Sequence, residues 1–190
     1  MRSTLIALAA TGLLATAAHA APATYAIDPT HTFATFEIDH FGASTNRVRF
    51  DKKSGTVQFD KAGKTGKVEV TLDMNAVNSG TAAFDKHLKS ADIFNTEKFP
   101  EAKFVSDKFV FEGDKLKEVT GQLTLMGQTK PMTIKANKFT CYESPMLKRE
   151  VCGGDFEATI DRTQWGVNCG VDWGFAENVR RVLQMEAVKQ

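Results

Sequence analysis

Beyond the first twenty residues, three histidines and three cysteines are the side chains best suited to acid–base, nucleophilic or metal chemistry. His31, His40 and His87 are dispersed, without the short paired spacing of zinc ligands, and no carboxylate is fixed beside them by sequence, so no metal site is expected. His40 ends the row Ala34, Phe36, Ile38, His40 that recurs at period two within HTFATFEIDHFG, residues 31–42. It is therefore an imidazole at the end of an apolar strand face, able to hydrogen-bond or carry a proton. A structural histidine satisfied by local hydrogen bonds is the simpler reading. His31 follows Asp28-Pro29-Thr30 and should tie down an N-terminal turn, while His87 should face solvent or brace a loop.

Cys141 and Cys152 flank a polar, turn-rich segment between two strand patterns and are predicted to form a disulfide across it. A redox role is the weaker alternative, because C-x-x-C spacing is absent and no basic helix start lowers a thiol pKa. Cys169, in NCGVDWG, is left over as a buried, free or intermolecular thiol with no recognisable base partner. There is no G-x-S-x-G elbow, no C-x-x-C-H and no Gly-rich phosphate loop. No catalytic residue and no cofactor are expected.

The elements that position these groups read as strands. Apolar alternation returns at Val68, Val70, Leu72; at Val119, Leu123, Leu125; at Met132, Ile134, Ala136; at Phe156, Ala158, Ile160; and near Leu183 and Ala187. Turn signals fall at residues 61–64, 112–114, 126–127 and 152–154. The clearest hairpin is LTLMGQTKPMTI, turning at Gly127, with Pro131 expected at the start or edge of the return strand. Between Ser79 and Pro100 the pattern changes to a short helix capped by Ser79 or Thr81, with Phe84 and Leu88 on one face and Asp85 and Lys89 on another. A helical turn is also expected at Arg162–Trp165.

Length and apolar content fit one domain over residues 21–190. Residues 1–20 read as a cleaved secretory signal: Arg2, an apolar run from Leu5 to Ala18, and an A-x-A site at Ala18-His19-Ala20. That run is too short to span a bilayer. Arg2 is the leader's one charged residue, so the remaining chain balances 23 acidic side chains with as many basic ones. Such a balance argues against nucleic acid and against electrostatic docking on anionic lipid. With roughly eight strands to hide an apolar face, a sandwich or a closed barrel would serve, and the crossing helix with its long hairpin series favours an antiparallel lipocalin-like barrel.

Three blocks, DPTHTFATFEIDHFG from Asp28, DKHLKSADIFNTEKFPEAKF from Asp85 and LTLMGQTKPMT from Leu123, together with the late element Asp161-Arg162-Thr163-Gln164-Trp165-Gly166, resemble the YceI-like family of exported bacterial proteins. The resemblance implies an all-β, lipocalin-like barrel with an internal pocket for a polyisoprenoid or similar amphiphile, such as a prenyl quinone, a prenyl pyrophosphate or a fatty amide, in a periplasmic binding or carrier role with no enzymatic activity. The chain departs from the family pattern in two places. Val48 stands where many relatives have Gly and is expected to narrow one end of the pocket, and the Cys141/Cys152 pair is expected to stiffen a rim loop.

The period-two reading nominates Phe36, Ile38, Phe50, Val57, Phe59, Val70, Leu72, Phe104, Leu123, Leu125, Ile134, Phe156, Ile160 and Leu183 as the pocket lining, with His40 reaching a quinone oxygen or a phosphate at the pocket's end. An enzyme acting on such a lipid through His40, and a stress-related structural module with a filled core, are the competing readings. Whether two barrels associate as a homodimer is left open.

Overall fold

Alternating β-branched, aromatic and polar residues fold here into strands whose apolar side chains share one face. The structure, a computed structural model, describes residues 21–190, so the expected secretory leader lies outside the described residues. The elements are β1 (Ala23–Ile27), β2 (Phe33–His40), β3 (Ser44–Phe50), β4 (Lys53–Asp60), β5 (Thr65–Asp73), β6 (Val77–Asn78), α1 (Ala82–Lys89), β7 (Glu101–Glu112), β8 (Lys115–Leu125), β9 (Gln128–Glu143), β10 (Glu150–Asp161) and β11 (Asn178–Lys189).

Eight strands close a ring in the order β1, β4, β5, β7, β8, β9, β10, β11, with β11 returning to β1, and every pairing is antiparallel. The expected barrel is thus present. Closure depends on β11, which pairs along its length with β10 on one side and divides its other side between two partners. Arg180–Gln184 take β2, and Ala187–Lys189 take β1. The strands β2, β3 and β6 continue the wall at the same end of the barrel as α1, the β8–β9 turn and the long loop of residues 162–177. The chain termini, the β4–β5 and β7–β8 turns and the β9–β10 loop gather at the opposite end.

The β8–β9 turn takes positive φ at both Met126 and Gly127, the combination that lets a two-residue loop follow strand twist. Pro131 lies near the start of β9, before that strand meets β10 at Lys135. The turn expected at residues 152–154 is instead the interior of β10. A Cβ on Gly154 would fall 1.9 Å from the Lys138 carbonyl oxygen, and a bulge follows at Asp155/Phe156. These glycines mark a close approach of two backbones rather than a reversal of the chain. Helix α1 begins after Thr81, whose side chain does not cap it; Asp85 instead accepts from the Ser79 backbone N–H and hydroxyl, both at 2.6 Å. The turn expected at Arg162–Trp165 is a 3-10 turn.

Cys141 and Cys152 are disulfide-bonded and stand directly opposite each other on β9 and β10. The bond closes a short loop, with a sequence separation of 11. Replacing both cysteines by serine should lower the unfolding free energy by about 2–3 kcal/mol, chiefly by freeing the unfolded chain. A urea midpoint that does not move between oxidised and reduced protein would refute this.

The turn between β1 and β2 is held by Asp28, which accepts from the Thr30 backbone N–H at 2.8 Å and hydroxyl at 2.6 Å and lies 2.7 Å from His31 Nδ1. Partial burial opposes its charge, but these hydrogen bonds and His31 prevail and bring its pKa to about 2. A depressed carboxyl pKa supplies stability that is complete above the unfolded value, near 4, and is lost as pH falls through the folded value. The urea midpoint should therefore fall between about pH 4 and pH 2. Asp28→Asn, less stable at neutral pH, should show a smaller fall across that window.

Candidate functional site

The inward faces of the strands do not meet. They enclose a cavity of about 370 Å³, towards the small end of the range of small-molecule sites. On β11 the wall is set by Val179, Arg181, Leu183, Met185 and Ala187 at period two, a row of roughly 26 Å along the strand at about 3.3 Å per residue. The end near the disulfide is packed with aromatic rings. Phe59 stacks on Phe109 at 6.3 Å and meets Phe139 edge-on at 5.6 Å, with Tyr25 buried beside them. Towards α1, Phe36 meets Phe50 at 6.1 Å and Phe94 at 5.9 Å. Phe84 and Leu88 of α1 and Ile93 and Phe94 of the following loop complete the wall there.

Phe36, Ile38, Phe50, Val57, Phe59, Val70, Leu72, Phe104, Leu123, Leu125, Ile134, Phe156 and Leu183 all line this cavity, as does His40. Ile160 does not. It is buried in the main core, but the chain turns over just after it and Arg162 and Val167 supply the wall at that level. Val48 is also absent from the wall. It is 1% exposed and packed within the core opposite Phe36, so it narrows nothing. A barrel filled by its own side chains is not what this wall forms.

His40 sits exposed at the α1 end, in edge-to-face contact with Phe41 at 5.1 Å and Phe175 at 5.7 Å. It belongs to an aromatic rim that includes Trp173, 78% exposed, and Phe41, 54% exposed. His31 ties the Asp28 turn, as its position after Asp28-Pro29-Thr30 implied. His87 is exposed on α1 and joins the same rim. The disulfide lies at the far end of the barrel from this rim, in the β9–β10 ladder. Cys141, Glu150 and Cys152 form the one cluster of metal-ligating types among the described residues, and both of its sulfurs are held in the disulfide. Cys169 is a free, half-buried thiol on the cavity wall.

Two arginines on the wall were not among the expected site residues. Arg162 is buried inside the loop of residues 162–177. Its Nε donates to the Ala176 carbonyl at 2.8 Å and its Nη1 to the Val167 carbonyl at 2.7 Å, and its guanidinium lies 5.3 Å from the Phe175 ring centre. These bonds fold the loop around it, while Trp165, also buried, donates from Nε1 to the Leu123 carbonyl at 3.1 Å and pins the loop to the barrel. Arg162 keeps a buried Nη2 with no partner. Arg181 is enclosed within the barrel yet retains accessible surface, which places that surface on the void. Its buried Nε has no hydrogen-bond partner, and burial alone draws its pKa down to about 10. At neutral pH it remains a cation. The sequence carried a signal for it: stepping back by two from Leu183 lands on Arg181, in phase with the inward row.

Comparison with known proteins agrees with this architecture. Protein YceI of Salmonella arizonae is 35% identical over 194 residues, covering all of both chains. Among solved structures, Burkholderia cenocepacia BcnA matches with a TM-score of 0.70 at 22% identity, covering 84% of this chain and 98% of that one. A polyisoprenoid binding domain from Saccharophagus degradans matches with a TM-score of 0.60 at 14% identity, covering 89% and 99%. At those identities the two structures speak for the fold alone. The YceI-like domain matches residues 25–187, nearly all of the barrel, and the chain belongs to the YceI-like family.

Proposed function

We propose that this protein is a periplasmic carrier that takes up one long-chain amphiphilic lipid, of the polyisoprenoid, prenyl quinone, prenyl pyrophosphate or fatty amide class, inside its barrel. The observation that carries the reading is the cavity itself: a narrow, mostly apolar channel of about 370 Å³ lined along the length of the strands by Phe, Leu, Ile and Val side chains. Each methylene moved from water into such a channel contributes about 0.8 kcal/mol, so a chain can be held with few polar contacts. The Saccharophagus degradans domain of the same fold is a polyisoprenoid binding domain, which supports the same reading.

Uptake would occur at the α1 end, where the exposed rings of Phe41 and Trp173 offer an apolar approach. The apolar start of the sequence with its A-x-A site, and a disulfide suited to an oxidising compartment, support export. An enzyme would need a partner for His40. Among the described residues that ring meets Phe41 and Phe175 rather than a carboxylate or nucleophile, so binding is the better-supported role.

Native mass spectrometry of protein purified without detergent should show one added lipid mass per chain, and a fluorescent fatty probe loaded into stripped protein should be displaced by prenyl quinones or fatty amides. Protein that carries no lipid and takes up neither class would overturn the carrier reading. Leu183 lies on the wall at the level of Phe156 and Ala34. Leu183→Trp should fill the channel, lowering uptake at least tenfold while shifting the melting temperature by only a few degrees. Full uptake by a folded Leu183→Trp protein would place the ligand elsewhere.

A further inference from the structure

We infer that the lipid held in this barrel carries an anionic oxygen head, a carboxylate or a phosphate, and that Arg181 is the residue that seats it. The inference rests on the carrier reading and adds the head-group chemistry and the direction of insertion.

An arginine in an apolar interior ordinarily faces a carboxylate, because an unpaired buried cation is costly. Among the described residues Arg181 has no such partner. Its Nε is buried without an acceptor, and burial alone displaces its pKa. Its register neighbours are Phe36 on β2 and Ala158 on β10, neither able to accept a hydrogen bond from its side chain. Among the described residues, the only acidic one on the cavity wall is Glu186, whose carboxylate is engaged on the outside by the Tyr142 hydroxyl at 3.0 Å. Against it the wall carries Lys53, Arg162 and Arg181, the second also with an unpartnered nitrogen, so the cavity is positively charged.

The position of Arg181 sets the orientation. It is the second inward residue of β11 from the α1 end, and beyond it Leu183, Met185 and Ala187 continue for roughly 20 Å along the strand to the aromatic end of the barrel. A head on Arg181 thus leaves that stretch for the hydrocarbon, with the tail inserted first. A guanidinium offers five N–H donors in a planar fork that fits a carboxylate or phosphate better than a neutral carbonyl. Fatty amides and quinones can accept one bond from it but leave its charge uncompensated.

The test compares chains of equal length that differ only at the head, on lipid-stripped full-length mature protein: palmitic acid, palmitamide and hexadecanol, then geranylgeranyl monophosphate and geranylgeraniol. The wild type should bind at least one of the acids about tenfold to a hundredfold more tightly than its neutral counterpart. Which acid shows the larger ratio identifies the head as carboxylate or phosphate. Arg181→Met should bring that ratio close to one by weakening the acids, with hexadecanol or geranylgeraniol bound at least as tightly as to the wild type because the variant no longer buries an unpaired charge beside them. An equal ratio in wild type and variant, or a wild-type ratio of one, overturns this inference while the carrier reading stands. Failure of every chain to bind the wild type overturns the carrier reading itself.

A second measurement needs no variant. Palmitate labelled with ¹³C at its carboxyl, bound to the wild type, should stay ionised below the usual carboxylate range of about 4, since a neighbouring cation favours the charged form. A bound carboxyl that titrates above its free value would show an apolar site without Arg181 and would overturn the assignment.

Discussion

The structure depends on one constraint: an eight-stranded ring must close completely while its inward side chains stop short of the centre. At this strand number a barrel is just wide enough to be filled by its own side chains or to hold one small ligand, so side-chain choice decides between the two. Here aromatic clusters gather at both ends, with mostly aliphatic groups and Phe156 between. Phe59, Phe109 and Phe139 at one end, and Phe36, Phe50 and Phe94 at the other, pack on each other and hold the walls apart. Lining atoms beside an empty space forgo the dispersion contacts that a filled core would give. The continuous antiparallel ladder, which leaves no free edge around the ring, has to offset that loss.

Closure of so small a ring needs local relief, and the chain supplies it where backbones crowd. The wall bends between β1 and β2 and between β3 and β4, so that one circuit position is shared by two strands in each case. At Gly55 and Gly154 an added Cβ would fall 2.1 Å and 1.9 Å from a neighbouring carbonyl oxygen, so any larger residue would push adjacent strands apart. The seam that joins the first strand to the last is reinforced at the disulfide end of the barrel by Glu150, which accepts from the Tyr25 hydroxyl at 2.6 Å and pairs with Lys61. Burial and this carboxylate together raise the Tyr25 pKa, so its hydroxyl stays a donor. The same hydrogen bond and Lys61 hold Glu150 ionised.

What could be read from the sequence follows the range of each interaction. Period-two rows such as Ala34-Phe36-Ile38 are local, and nearly every residue they nominated lies on the cavity wall. The Met126-Gly127 reversal was legible for the same reason, since its backbone requirement lies within the two residues themselves. Gly153-Gly154 misled because glycine serves both turns and crowded strands, and only the neighbouring strand's carbonyls distinguish them. Ile160 shows a second limit: alternation says that a side chain points inward, not whether a neighbour covers it. Arg162 and its surrounding loop depend on carbonyls 5 and 14 residues away, which no local pattern encodes.

Arg180 and Arg181 divide structure from function within one dipeptide. Arg180 points outward and bridges Glu37 and Glu157, each at 2.8 Å, joining three strands by exposed ion pairs of modest value. Slipping β11 by one residue would turn Arg180 into the cavity and strip it of both carboxylates, so the pair fixes register as well as adding stability. Arg181 does neither, and its effect depends on what occupies the space beside it. With the void open, there is room for water to solvate its exposed surface. A neutral hydrocarbon lying across that level would exclude the water and return no bond, raising the penalty of the buried charge. The wall beyond Arg181 imposes no such cost. The channel is therefore not uniform in solvation, and it favours a guest whose polarity changes at the level of that guanidinium.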